Sequence, residues 1–415
     1  MGSAETSLSA RTQRPIRLLV FTTLYPNAAQ PRHGVFVEER LRKLVASGRV
    51  TASVVAPVPW FPFRQPRFGS YAKFAAAPRD EERFGIHIEH PRYPVVPKVG
   101  MNLAPSLLYY ALLPVLRRRA AAGDFDLVDA HYLYPDGVAA VRLGVAVRKP
   151  VVLSARGSDV TLIPGYAAPR RWIFAAARGA AAVITVSQDL NDRLVGLGVA
   201  PTKLTTVRNG VDLERFCPLP RDSMRAELGL VGTTWLTVGH LVEQKGVHLA
   251  IAALAQVPDA TLLIAGDGVE RTRLHQLTVR LGLAGRVRFL GAVAHDDLCR
   301  YYNAADALFH PSEREGMPNV VLEALACGTP VVAAPFDGAA EVIQTADAGI
   351  IAAERSADAL VHAWQALQAR MPERAATRRF AEEHLDWDAV VEAQCALYAR
   401  VLRQHASCNI EGATP

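Results

Sequence analysis

Residues 307–332 read ALFHPSEREGMPNVVLEALACGTPVV. A short apolar run, ALFHPS, gives way to a polar loop and then to PNVVLEALACG, whose apolar residues recur at helical spacing. Pro318 suits the first turn of that helix, where its missing N–H costs nothing, and Gly328 suits the far end. A strand followed by a helix of this length is one unit of an α/β fold. The same alternation continues on either side: WLTVG before KGVHLAIAALAQV, TLLIAG before VERTRLHQLTVRLGL, VRFLG before DDLCRYYNAA. It also fills the first half, where RLLVF, VTASVVAP, LVDAH, VVLSA and AAVITVS are separated by amphipathic stretches. Strands of about five residues alternating with helices of ten or more predict parallel sheets covered on both faces. Two such blocks predict two doubly wound, Rossmann-like domains.

The break between them is expected near VRNGVDLERFCPLPRD (Val207–Asp222), where Asn209-Gly210 and two prolines interrupt the pattern. The organisation read from this is 1–208 for the first domain, 209–386 for the second, and a last amphipathic helix with a tail over 387–415. Val390, Val391, Leu397, Tyr398 and Val401 form the apolar stripe of that helix, which must cover something. Ligands in doubly wound sheets bind beyond the carboxyl ends of the strands, so two such sheets predict a site in the cleft where they face each other.

The 415 residues favour two domains over one. Half of the chain is apolar, as in an ordinary globular protein. Cys217, Cys299, Cys327, Cys395 and Cys408 are odd in number and scattered, a pattern of reduced thiols with neither a disulfide frame nor a zinc site. No run reaches the roughly 18 apolar residues of a membrane span, and the first one, from Ile16 to Phe21, is too short for a signal peptide. MGSAET at the start matches a myristoylation pattern in form only. A cytoplasmic location is expected, with the inner face of the cytoplasmic membrane as a peripheral site. The net charge of +6 divides unevenly: residues 1–215 hold 29 Lys and Arg against 16 Asp and Glu, a balance of +13, and residues 216–415 hold 17 against 24, a balance of −7. The basic half is expected to face something anionic. No nucleic-acid-binding motif accompanies it, which leaves a membrane surface or a phosphate-bearing acceptor.

Glu315 and Glu323 demand an explanation, because an unpaired carboxylate is expensive to bury. Glu315 falls in the loop at the helix mouth and Glu323 between one and two turns inside. The unpaired N–H groups of that first turn, with Gly316 allowing close approach, form an anion site. A phosphate there, with hydroxyls on either side donating to the two acids, describes a molecule of sugar, phosphates and ribose. Taken singly, each acid reads equally well as a solvated loop or surface residue.

Beyond that stretch, LYPNAAQPRHGVFVEE, DLVDAHYLYPDG, LSARGSDV, VITVSQDL, VRNGVDLERFCP, VGHLVEQKGVHLAIAAL and LLIAGDGVERTRL follow in order, and GAAEVI comes after it. The set resembles the retaining GT-B glycosyltransferases of family 4, whose E-x7-E signature Glu315 and Glu323 match. The resemblance spans residues 17–403. It implies a GT-B fold with the last helix crossing back to the first domain. It further implies transfer of a sugar from a nucleotide-sugar donor, most commonly a UDP-sugar, with retention of anomeric configuration. Neither a metal nor a cofactor beyond the donor is implied. Lys245 matches the lysine that binds the donor diphosphate, where it would neutralise the leaving group. Glu323 matches the acid that holds the ribose, and Glu315 the one near the transferred sugar, with the backbone N–H groups of Gly316 and Met317 beside it. His131 matches a histidine near the sugar, and Gly34 a glycine loop that approaches donor or acceptor. His131, Glu315 and Lys245 are the catalytic candidates on this basis. Arg156 and Asp159 are placed along the cleft, and Asp267 at a turn or against the nucleotide.

His240 departs from the pattern, since the family usually carries arginine there as a second phosphate ligand. A histidine cannot make the bidentate fork. In these enzymes the acceptor usually meets the first domain, which points to a glycan or lipid-linked sugar of bacterial exopolysaccharide, capsule or lipopolysaccharide assembly. PVPWFPFRQPRFGSYAKF (Pro57–Phe74) and LLYYALLPVLRRR (Leu107–Arg119) are candidate contacts with an anionic membrane. The second of these reads equally as a core-facing helix with a solvated basic end. A nucleotide-sugar 2-epimerase and a non-catalytic nucleotide-sugar-binding partner of an assembly complex are the competing functions.

Overall fold

The apolar runs become strands in the order the alternation predicts. In the computed structural model, which describes residues 14–411 apart from 66, 68 and 96–99, the first half contains β1 (Ile16–Phe21), β2 (Val50–Val55), β3 (Val58–Pro59), β4 (Asp80–Arg83), β5 (Ile86–Glu89), β6 (Arg92–Tyr93), β7 (Leu127–His131), β8 (Val151–Ala155), β9 (Ala182–Thr185) and β10 (Leu204–Thr206). The second half adds β11 (Thr233–Val238), β12 (Ala260–Ala265), β13 (Val287–Gly291), β14 (Ala307–His310), β15 (Val331–Ala333) and β16 (Gly349–Ile351). The MGSAET stretch lies outside the described residues.

Eight strands form one sheet in the order β10-β9-β8-β7-β1-β2-β5-β4, and six form another in the order β13-β12-β11-β14-β15-β16. In the first sheet β1 pairs parallel with β2 and β7, β2 with β5 and β9 with β10, whereas β4 pairs antiparallel with β5. Every neighbouring pair in the second sheet is parallel; β3 and β6 make a small sheet of their own. Strands covered on both faces are largely apolar, and β7, β8 and β9 are buried at every residue. In each sheet the winding reverses once, between β1 and β7 in the first and between β11 and β14 in the second. Loops leaving the carboxyl ends of those four strands therefore carry the residues that a ligand meets.

By compactness the chain divides into two units. One comprises residues through Leu153, Gly179–Ala182 and those from Ala393 on; the other comprises Ser154–Arg178 and Val183–Glu392. The core of the second is anchored by Trp235, which stacks on Phe309 with ring centroids 4.0 Å apart and meets Trp364 edge-on at 5.5 Å. The final helix, Trp387–Glu411, buries the five apolar residues of its predicted stripe. Cys217, Cys299 and Cys327 carry free thiols.

One segment offered as a membrane contact has a different role. Leu107–Arg119 lies within the Ala104–Ala121 helix, whose Leu108, Leu112 and Leu116 are wholly buried. Its basic end is not simply solvated either. Arg119 is buried between Glu89 and Ser53, and Arg118 pairs with Glu89 at 3.0 Å. The stripe serves the core, leaving Tyr110 on the outer face at 72% exposure. Among the described residues no helix is long and apolar enough to cross a membrane.

Candidate functional site

In the second unit the two loops at the winding reversal are laced together. The loop after β11 contains a single tight turn, Glu243–Lys245, and the loop after β14 runs from Pro311 to Pro318. Gln244 fastens one to the other: its Nε2 donates to the Arg314 carbonyl at 2.9 Å, and its own carbonyl accepts from the Glu313 N–H at 2.9 Å. Arg355 braces the same region by donating to the Pro311 carbonyl at 3.1 Å. This lacing delivers Lys245 Nζ to 2.5 Å from Glu315 Oε1, across 70 positions of sequence. His310, the last residue of β14, brings Nε2 to 3.2 Å from the same oxygen.

Burial disfavours a charged Glu315, but the His310 ring and the Lys245 ammonium outweigh it and draw the carboxyl down to about 2. At neutral pH Glu315 is therefore an ionised acceptor with no proton to give. Gly316, next along, cannot carry a side chain: a Cβ there would lie 2.1 Å from the Arg156 carbonyl oxygen. Met317 is buried, and the Asn319–Ala326 helix starts directly after Pro318, which caps it in an extended conformation one position before the first turn where the sequence placed it.

Glu323 is buried inside that helix with both oxygens engaged. His295 Nε2 meets Oε1 at 2.9 Å, and the Tyr302 hydroxyl donates to Oε2 at 2.7 Å. His240 occupies the start of the loop after β11, exposed, with no side-chain hydrogen bond among the described residues. Asp267 accepts from the Gly268 N–H at 2.8 Å and shapes its own turn. Arg156 reaches Asn209 at 3.3 Å, which in turn donates to Asn319 at 2.9 Å. Asp159, expected along the cleft, is buried, and its carboxylate accepts from the backbone N–H groups of Arg156 and Gly157. It fixes the Arg-Gly-Ser-Asp turn.

In the first unit, the residues at the winding reversal are His131, at the end of β7, and the loop after β1. Gly34 begins the Val35–Ala46 helix with φ +73°, and a Cβ would fall 2.3 Å from the Leu24 carbonyl oxygen. The loop after β1 can fold back on itself only with glycine there. Asp136, fully buried, holds that loop by accepting from the Thr23 N–H at 2.6 Å and the Thr23 hydroxyl at 3.0 Å.

Two family profiles account for most of the chain: Glycosyltransferase Family 4 over residues 71–215 and Glycosyl transferases group 1 over residues 223–384. TuaC of Bacillus subtilis, a glycosyltransferase assigned to teichuronic acid biosynthesis, is 30% identical over 332 residues, covering 78% of this chain and 82% of its own. The chain belongs to glycosyltransferase family 4. A D-inositol 3-phosphate glycosyltransferase of Salinispora tropica shares 30% identity with this family 4 glycosyltransferase over 358 residues, 77% of this chain and 74% of the other. Among solved structures, sucrose-phosphate synthase from Thermosynechococcus elongatus superposes with a TM-score of 0.77 at 21% identity, covering 94% of this chain and all of that one. Anabaena HepE in complex with UDP-glucose superposes with 0.72 at 22%, covering 93% of this chain and all of that one. At these identities the likeness is one of fold, the GT-B arrangement of two Rossmann-like domains.

Sequence reasoning on this glycosyltransferase missed His310, His295, Tyr302 and Gln244. Only the position of His310 at a strand end that leads into the Glu315 loop could have flagged it. The other three act across distances in sequence that no motif spans.

Proposed function

We propose that this glycosyltransferase moves a sugar from a UDP-sugar to a glycan or lipid-linked acceptor in bacterial exopolysaccharide, capsule or lipopolysaccharide assembly, with retention and without a metal. The observation that carries the reading is the Lys245 ammonium held against an ionised Glu315 at the carboxyl ends of β11 and β14. An ammonium so placed neutralises the diphosphate as the glycosidic bond breaks. A carboxylate that stays ionised accepts hydrogen bonds from sugar hydroxyls and cannot serve as a general acid at neutral pH. That fits a leaving group that needs no protonation, a nucleotide diphosphate, and a front-face path in which its departing oxygen takes the acceptor's proton. Acid catalysis by a carboxyl pair, as in glycoside hydrolysis, does not fit. Glu323, whose oxygens already accept from His295 and Tyr302, is suited to ribose hydroxyls, with Gly316, Met317 and His240 around the phosphates and His131 and Gly34 near the sugar and acceptor. That HepE was solved with UDP and with UDP-glucose supports a uridine donor.

The basic first half and its outward aromatics, Trp60 at 60% exposure with Phe63 and Tyr110, support an anionic membrane surface as the place where a lipid-linked acceptor is met. The testing experiment is nucleotide release from UDP-, GDP- and ADP-sugars, with and without detergent-extracted bacterial lipids and with EDTA present. Release from one donor, insensitive to EDTA and lost in Glu315→Ala and Lys245→Ala, is expected, with a product whose anomeric coupling constant matches the donor's. Binding without turnover under every acceptor condition would replace this reading with that of a non-catalytic partner. Conversion of the donor to its epimer without acceptor would make it an epimerase.

A further inference from the structure

Behind His131 in the first unit stands a line of four further buried polar side chains to which the mechanism sketched above gives no role. Asp129 and His131 stand two residues apart on β7, so their side chains share one face of the sheet. Asp129 Oδ2 lies 3.2 Å from His131 Nε2. The same carboxylate oxygen accepts from the Tyr398 hydroxyl at 2.7 Å. Gln394 Nε2 donates to the Tyr398 oxygen, and Arg40 Nε donates to Gln394 Oε1 at 2.6 Å. All five residues are at most 2% exposed. The chain of donors thus runs from a buried guanidinium through two neutral side chains to a buried carboxylate and ends on the histidine ring.

An interior position of a sheet strand covered on both faces calls for an apolar residue, and a carboxylate there is costly unless fully matched. Burial opposes ionisation of Asp129, yet His131 and Tyr398 hold it below its ordinary value. The matching partner comes from a helix 269 positions downstream, on a turn where Tyr398 could equally have been phenylalanine for packing alone. Immediately after His131 the backbone enters the left-handed region, with Tyr132 at φ +78° and ψ 116°. Strain of this kind in a bulky residue persists where the surroundings impose it, often beside a functional group. The strand is thereby made to stop at the histidine.

We propose that Asp129, fixed by Tyr398 of the last helix, is a positioning residue for His131: it holds the ring with Nε2–H toward the carboxylate, which sets the tautomer and leaves Nδ1 as the nitrogen for any partner other than Asp129. This rests on the proposed place of His131 near the transferred sugar. An imidazole turned or protonated the other way exchanges donor for acceptor at the nitrogen that faces away from Asp129, so what His131 offers a sugar hydroxyl depends on a side chain that never touches it.

Protein labelled with ¹⁵N-histidine, with the His131 signals assigned by their loss in His131→Gln, reads the tautomer directly. Wild type is expected to carry the proton on Nε2, whereas Asp129→Asn should give a mixed or inverted state. In the nucleotide-release assay with its identified donor, Asp129→Asn is expected to lower kcat at least tenfold with donor KM within about twofold, and Tyr398→Phe to lower kcat by a smaller factor in the same manner. A wild-type His131 protonated on Nδ1 overturns the inference whatever the variants do. So does a pair of variants that melt earlier but keep the wild-type tautomer and kcat, since the network would then be purely structural. If His131→Gln itself leaves kcat unchanged, the placement of His131 near the sugar fails instead, and the tautomer measurement still decides whether Asp129 orients the ring.

Discussion

Replacing Lys245 with methionine keeps most of the side-chain volume and removes the charge that faces Glu315. In the intact protein Glu315 falls from an ordinary 4.5 to about 2, which at about 1.4 kcal/mol per pH unit amounts to about 3 kcal/mol of stability from this carboxylate. A carboxyl with a lowered folded-state pKa contributes that stability above its unfolded value, near pH 4.5, and loses it as the pH falls toward 2. Lys245 supplies only part of it, because His310 lies on the same oxygen. The variant should therefore be less stable by about 2 kcal/mol at pH 7, the usual scale of a hydrogen bond to a charged group. The deficit should shrink as the pH falls from about 4 toward 2, because the carboxyl of the variant takes up a proton first, so that it is nearly whole at pH 5 and clearly smaller at pH 3. Urea titrations followed by tryptophan fluorescence at pH 7, 5, 4 and 3 measure it, since Trp235 and Trp364 sit in the core of the unit that carries the pair. The same variant should lose about 10²–10³-fold in kcat, as when one group stabilising developing charge is removed. A deficit that does not change with pH would show that the ammonium does not hold the carboxylate ionised. A kcat within tenfold of wild type would remove the lysine from the leaving group.

Tyr302→Phe takes one hydrogen bond from the buried Glu323 and should cost about 1.5–3 kcal/mol in denaturation, with donor KM raised more than kcat is lowered; an unchanged KM would separate Glu323 from the donor. Gly34→Ala forces a methyl group 2.3 Å from the Leu24 carbonyl at a positive φ, so a loss above about 1 kcal/mol is expected, and a neutral result would mean that the loop after β1 adjusts freely. His240→Arg adds a fork-shaped cation on an exposed loop and should tighten donor binding by about fivefold, roughly 1 kcal/mol, with no change in melting; isothermal titration with the donor decides. Leu112→Ala should cost about 2–5 kcal/mol, measured by the same urea titration, because the stripe once offered to a membrane faces the core.

The doubly wound halves were legible because parallel, two-sided burial leaves a strong local imprint: RLLVF, LVDAH, WLTVG and ALFHPS each became a strand at the place expected. The outline of the site was legible for a related reason. The loops that carry Lys245 and Glu315 follow strands directly, so a sequence motif marks both. Their pairing was not legible, since it depends on Gln244 bridging two loops that are 70 positions apart. Glu323 shows the limit from the other side. The residue stood out, but His295 and Tyr302, which decide how its oxygens point, lie on elements with no signature. Asp159 was misread because an acid beside Arg156 and Gly157 looks the same in sequence whether it faces a ligand or caps its own turn. Leu107–Leu116 was ambiguous on composition, and only the packing of Leu108, Leu112 and Leu116 resolved it.

Part of the last helix belongs to the first unit, with Gln394, Tyr398 and Val401 buried there. Domains usually fold in the order in which they leave the ribosome. Here the amino-terminal half is made first, yet it lacks its closing segment until nearly four hundred residues have been translated. Throughout that interval Asp129 and Arg40 are without the two side chains that join them. The half that emerges first is thus the one completed last, and a nascent chain stalled before residue 394 should remain a client for chaperones even though both of its sheets have been synthesised.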